Sequence, residues 1–137
     1  MKNVTPKIHK TKKRILVTGG TGFVGRVVVR ELSKLYKVRV FSRKKVKING
    51  VEIFVGNILD VNDVEIAIEN VDCIVHLAAL MVGNEKYIYS FNVNSTKVLI
   101  DAAIKNNIRK FVFLSSENTM WEKQSAYGES KKNAKNM

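Results

Sequence analysis

The chain has 137 residues, 45% of them hydrophobic, enough for one domain with a core of its own. No stretch approaches the ~20 apolar residues that span a bilayer, and no apolar signal core follows the basic start; a single cysteine, Cys73, excludes an internal disulfide and a cysteine-rich metal site. The net charge of +12 is clustered within Lys2–Arg14, Arg43–Lys47 and Lys131–Lys135, without the aromatic interleaving or motif of a nucleic-acid binder.

Nucleic acid is therefore not the expected partner, and a cytoplasmic location is the default. Residues 1–13 read as a basic, disordered arm, with the domain beginning at residue 14. Ile15–Thr18 predicts a strand, apolar enough to be buried on both faces. Phe23–Leu35 predicts a helix, with Val24, Val27, Val28 and Leu32 at helical spacing as its core face. Val38–Phe41 is a second strand, followed by a basic loop, Lys44–Gly50, that ends in the turn pair Asn49-Gly50.

Val51–Val55 is a third strand, closed by Gly56. Asp60 suits the N-cap of a helix through Val64, Ala67 and Ile68. Cys73–Leu77 is a fourth strand. A long helix is expected within Glu85–Asn106, with Val93, Val98, Leu99 and Ala102 as core candidates. Phe111–Leu114 is a fifth strand, ending at Ser115. Strands spaced by helices predict parallel βαβ units and a Rossmann-type, doubly wound α/β sheet of about five strands. Right-handed crossovers then put all the strand ends on one edge, where ligands bind. Gly19–Gly25, Ser42–Arg43, Gly56–Asn57, Leu77–Ala79 and Ser115–Ser116 all fall there.

Gly19, Gly22 and Gly25 form a G-x-x-G-x-x-G turn between the first strand and the first helix. Such a turn needs positive φ, close backbone approach and tight helix packing, and it aims a helix N-terminus at an anion. The spacing points to a dinucleotide pyrophosphate; the plain alternative is a glycine-rich turn without a ligand. After the second strand a carboxylate would suit a free ribose 2′-hydroxyl, but this chain has Ser42-Arg43-Lys44-Lys45. Arg43 can pair with a 2′-phosphate, which favours NADP over NAD; the alternative is an ordinary basic loop.

Tyr127 and Lys131 stand four residues apart, so on a helix they share a face. A neighbouring ammonium favours the phenolate and suits the tyrosine to proton transfer. Ser116, at the end of the fifth strand, can hydrogen-bond a substrate carbonyl or hydroxyl. Alone, the pair is an ordinary surface pattern; its position gives it weight. His76 reads as a packed strand-end residue, and Met120 and Trp121 as pocket-lining or packing residues. The acidic residues show no paired-carboxylate or metal-ligand spacing, so no metal is expected.

The chain resembles the N-terminal, nucleotide-binding part of an extended short-chain dehydrogenase/reductase of the NAD-dependent epimerase/dehydratase type. The matching segments are TGGTGFVG at 18–25, GNILD at 56–60, VDCIVHLAA at 71–79, NVNST at 92–96, FVFLSS at 111–116 and YGESK at 127–131. The resemblance implies that Gly19, Gly22 and Gly25 hold the pyrophosphate, with Phe23 and Val24 opening the helix beneath it. It makes Arg43 the 2′-phosphate reader, Asn57 and Ile58 the adenine-contacting pair, and Leu77, Ala78 and Ala79 the backbone beside the ribose and phosphates. It makes Ser116, Tyr127 and Lys131 the catalytic group, with Tyr127 and Lys131 also touching the cofactor.

The chain departs from the family pattern at Asn57, usually aspartate, at Asn94-Ser95 before Thr96, and at Met120-Trp121, often Tyr-Gly. Family members are much longer, and their C-terminal half carries the last strands and the substrate domain. The expectation is thus a nicotinamide-dinucleotide-binding part of an oxidoreductase, epimerase or dehydratase acting on an alcohol or carbonyl such as a nucleotide sugar. The alternatives are a non-catalytic dinucleotide-binding or interaction module, or an inactive truncated fragment. The 137 residues alone are expected to lack turnover and to dimerise or aggregate through an open sheet edge.

Overall fold

The computed structural model describes residues 11–120 and 125–137. Five strands form one parallel sheet: β1 (Arg14–Thr18), β2 (Lys37–Ser42), β3 (Glu52–Val55), β4 (Cys73–His76) and β5 (Lys110–Phe113). Their order is β3-β2-β1-β4-β5, so the winding reverses between β1 and β4. Among the described residues three helices connect strands, α1 (Phe23–Ser33), α2 (Val61–Ala67) and α3 (Glu85–Lys105), and α4 (Ala126–Lys135) follows β5. This is the expected Rossmann-type fold, with strand ends moved by a residue or so.

Alternation along the strands divides the core between two faces. Ile15, Val17, Val38, Val40 and Val75 pack under α1 through Val29. Leu16, Phe41 and Ile74 pack on the opposite face under Val64 and Ala67 of α2 and Phe91, Leu99 and Ala102 of α3. α4 lies against α3 on that second face. Each fully buried aliphatic side chain here contributes about 1.5–3 kcal/mol.

Local chemistry sets the helix starts. Asp60 accepts from the amides of Asn62 and Asp63, Asn84 from Tyr87, and Ser125 from Gly128, each cap worth about 1 kcal/mol. The C-terminal end of α2 is held by a buried arginine. Arg39 Nη1 donates to the carbonyls of Ala67 and Glu69, at 2.5 and 3.1 Å, and its Nε lies 2.9 Å from Glu52 on β3.

The face of α1 is not the expected one. Gly25 and Val29 are buried and Val28 and Leu32 partly so, whereas Val24 and Val27 are half exposed. The helix turns its glycine toward β1 because only a residue without a side chain fits there, and that rotation carries Val24 and Val27 outward. In α3 the inward face is also unexpected: Asn92, Ser95 and Thr96 are buried beside Leu99, while Val93 and Val98 are only partly covered.

Candidate functional site

The chain leaves β1 through Gly19, whose φ of +71° favours glycine. A Cβ at Gly19 would lie 2.6 Å from the Ala78 amide nitrogen, and one at Gly25 would lie 2.0 Å from the Gly19 carbonyl oxygen. The turn, the β4 exit and the start of α1 are thus in direct backbone contact. No side chain caps α1 and no acid occupies its first turn, so its N-terminal amides face outward with the positive end of the helix dipole.

Beside this turn a cleft of about 420 Å³ opens between β1 and β4, at the point where the winding reverses. Thr18, Gly19, Thr21 and Gly22 form one wall and Leu77, Ala78, Ala79 and Leu80 another; Ser42, Arg43, Lys44 and Ile58 line it on the β2–β3 side. Among the described residues, neither aspartate nor glutamate lines it. Ser42 shapes the turn that carries Arg43, its hydroxyl donating to the Lys44 carbonyl at 2.8 Å and accepting the Lys44 amide at 3.2 Å.

The cleft thus gathers Gly19, Gly22, Arg43, Ile58, Leu77, Ala78 and Ala79. Other expected residues stand elsewhere. Asn57 is exposed and does not line the cleft: its amide oxygen accepts from Leu59 N and its backbone amide donates to Asp63, forming the turn before the Asp60 cap. The Phe23 side chain is 96% exposed and Val24 half exposed, and neither residue lines the cleft; nor does Gly25. Met120 is exposed and neither lines the cleft nor packs. Trp121 and the arm up to Lys10 lie outside the described residues.

Ser116, Tyr127 and Lys131 do not line this cleft either: Ser116 stands at the exit of β5, and Tyr127 and Lys131 stand on α4. Ser116 follows β5, and its carbonyl accepts from the amide and hydroxyl of Thr119. Tyr127 is half-buried on α4, and Lys131, one turn on, is 2% exposed. The Lys131 ammonium rests 4.2 Å above the centre of the Phe113 ring, a cation–π contact that offsets part of its lost hydration. Burial pushes its pKa down to about 8.

Buried polar residues join the cleft to α4. Asn92 Oδ1 accepts from Leu80 N at 2.7 Å, and its Nδ2 donates to Leu80 O and to Ser130 Oγ, both at 2.9 Å. Ser130 Oγ in turn donates to the Tyr127 carbonyl at 2.8 Å. His76 is buried between Thr18 and Thr96. Sequence reasoning missed Thr18, Asn92, Thr96 and Ser130. The signal that could have found Asn92 and Thr96 was a polar stripe, Asn92, Ser95 and Thr96 at spacing i, i+3, i+4, on one side of a long helix.

Among the described residues no group of three His, Cys, Asp or Glu side chains is placed to hold a metal, and no helix is long and apolar enough to cross a membrane. The chain is similar to a short-chain dehydrogenase/reductase superfamily protein from Agrobacterium tumefaciens solved with bound NAD. The identity is 32%, over 90% of this chain and 43% of that one, with a TM-score of 0.81. It is also similar to the uronate dehydrogenase of Agrobacterium tumefaciens, at 26% identity over 90% and 53% of the two chains and a TM-score of 0.78. The UDP-Glc/GlcNAc 4-epimerase of Campylobacter jejuni shares the fold, with 23% identity over 90% and 47% and a TM-score of 0.81.

The chain therefore spans about half the length of these structures. Comparison with curated proteins yields no match. The sequence profile of the NAD dependent epimerase/dehydratase family matches residues 15–136, nearly the whole chain. The chain belongs to that family.

Proposed function

We propose that this chain is the nicotinamide-dinucleotide-binding part of an extended short-chain dehydrogenase/reductase. The observation that carries the reading is the cleft where the winding reverses: at Gly19 its wall is backbone with no room for a side chain, and no carboxylate lines it among the described residues. Gly19, Gly22 and Gly25, with the amides of Phe23 and Val24, would hold the pyrophosphate. Ile58 would pack on the adenine, with Asn57 at the rim, and Leu77, Ala78 and Ala79 would flank the ribose. When bound, the dinucleotide supplies a hydride donor or acceptor. Arg43, beside Lys44 in the same wall, would pair with a 2′-phosphate, so NADP is the preferred form.

Ser116, Tyr127 and Lys131 would serve the chemistry on the substrate, an alcohol or carbonyl compound such as a nucleotide sugar. Tyr127 would move the hydroxyl proton, Ser116 would orient the oxygen, and Lys131 would support the tyrosine. One cysteine in the whole chain fits a cytosolic setting.

A second reading is binding without turnover. It is favoured by the exposure of Phe23, Val112 and Leu114, apolar groups left without cover. Two measurements test the assignment. In titrations, NADPH should bind the unmutated chain more tightly than NADH, and Arg43→Ala should erase most of the difference; equal affinities in the unmutated chain would refute the preference. In a form that turns over substrate, Tyr127→Phe should abolish turnover with cofactor affinity nearly intact, and retained turnover would remove the tyrosine from the mechanism.

A further inference from the structure

All the strands of a parallel sheet start at one edge, here the edge opposite the cleft. The sequence loads that edge with cations. Lys12 and Lys13 lead into β1, Lys37 opens β2, and Arg109 precedes Lys110, the first residue of β5. All five are exposed, and none is ion-paired among the described residues. The register sets them in a row. Arg14 stands opposite Lys37, and Cys73 opposite Lys110, so the cations cross β2, β1, β4 and β5. That is three strand spacings, roughly 14 Å. Neighbours in the row lie within a Debye length of about 8 Å, so their fields add.

The acids at this edge are Glu52, Glu69 and Asp72. Two of them are engaged: Glu52 lies 2.9 Å from Arg39 Nε, and Asp72 accepts the Arg14 amide at 2.8 Å. The turn between α1 and β2 adds apolar surface to the same edge. Leu35 is 67% exposed and Tyr36 37%, between Lys34 and Lys37. Their backbone is fixed, because both amides donate to the Leu32 carbonyl, at 3.1 and 2.9 Å. A leucine and a tyrosine flanked by lysines suit the boundary of headgroups and acyl chains, where the rings and methyls enter and the ammonium groups stay with the phosphates.

We propose that this edge docks on an anionic phospholipid surface, with Leu35 and Tyr36 entering the headgroup layer and the cleft facing away from it. Charge complementarity carries the choice of partner. Lysine is a compact point charge that suits a diffuse anionic plane. Single-stranded nucleic acid calls instead for aromatic platforms under successive bases, and the exposed row is mostly lysine. The proposal goes beyond the dinucleotide reading and does not depend on it.

The test uses the full 137-residue chain, sedimented with vesicles of phosphatidylcholine alone or mixed with phosphatidylserine. The chain should bind the mixed vesicles at least tenfold more tightly than the neutral ones, and less tightly as salt rises. Lys13→Gln, Lys37→Gln and Lys110→Gln together should weaken that binding at least tenfold, since each cation near such a surface is worth roughly fivefold. A control with the same loss of charge on α3 and α4, Lys86→Gln, Lys97→Gln and Lys132→Gln, should change it less than threefold. Leu35→Ser should weaken vesicle binding at least threefold and leave affinity for polyuridylate RNA unchanged. Equal binding to both kinds of vesicle would overturn the proposal. So would equal losses in the two triple variants, the mark of net charge alone. Tighter binding to the RNA than to the mixed vesicles, through the same three lysines, would make the edge a nucleic-acid surface and overturn it as well.

Discussion

A side chain on Gly25 has nowhere to go, because its Cβ would meet the backbone oxygen of Gly19 at 2.0 Å. Gly25→Ala should therefore force the turn and α1 apart, costing about 1–3 kcal/mol or more and most of the dinucleotide affinity. Urea unfolding and a binding titration check this, and a variant that matches the unmutated chain in both would contradict it. His76 gives a pH dependence whose sign is fixed. Its folded pKa is about 3, against 6.5 for an ordinary histidine, so the unfolded chain binds more protons between those values. Stability should be intact above pH 6.5 and fall below it, by up to about 1.4 kcal/mol per pH unit. A chain carrying His76→Gln should lose that slope in urea unfolding measured from pH 7 to pH 5. These roles were unevenly legible in the sequence. The glycine turn could be read because its spacing encodes the backbone demand, and the place of Arg43 in the cleft because it directly follows β2. The Thr18–His76–Thr96 chain could not, since its members lie 58 and 20 residues apart and meet only when β1, β4 and α3 are assembled.

Among the elements, α4 carries the most buried charge. Lys131 is sequestered over Phe113, and holding its pKa down from 10.5 to about 8 corresponds to roughly 3 kcal/mol of lost stability at neutral pH. Because the unfolded chain binds more protons between those values, stability should rise as the pH climbs from 8 to 10.5. Lys131→Met removes the charge at similar volume. It should raise stability at pH 7 by about 1–3 kcal/mol and abolish that rise, while ending any turnover. Thermal unfolding at pH 7 and pH 10 decides the point, and an unchanged or lowered stability at pH 7 would contradict it. The order and kind of elements were legible because apolar runs of strand length alternate with helical spacing. The inward faces of α1 and α3 were not. Periodicity gives a stripe but not its rotation, which in α1 is set by Gly25 against Gly19, and in α3 by Asn92 bridging Leu80 and Ser130. The same limit applies to Arg39, a charged residue in a buried strand that makes sense only once the end of α2 lies over it.

At the scale of the molecule, the sheet is well covered on the α2–α3–α4 side and thinly covered beyond α1. Val112 and Leu114, which alternate with the inward residues of edge strand β5, and Phe23, Val24 and Val27 of α1 remain exposed. Apolar surface beside an open parallel edge favours association. The 137-residue chain should therefore self-associate with rising concentration in sedimentation experiments, and Val112→Lys should shift it toward monomer; a monomer at every concentration would contradict this. The cleft at the β1–β4 junction is built by the ends of β1, β2 and β4 with Ile58 and Phe91, and Val112 and Leu114 take no part in it. Its occupancy is measured most directly by an NMR titration of the unmutated 137-residue chain with NADPH. Binding should saturate, with the shifted amides confined to Gly19–Gly25, Arg43, Ile58 and Leu77–Leu80. Absence of saturation, or shifts centred elsewhere on the molecule, would contradict it.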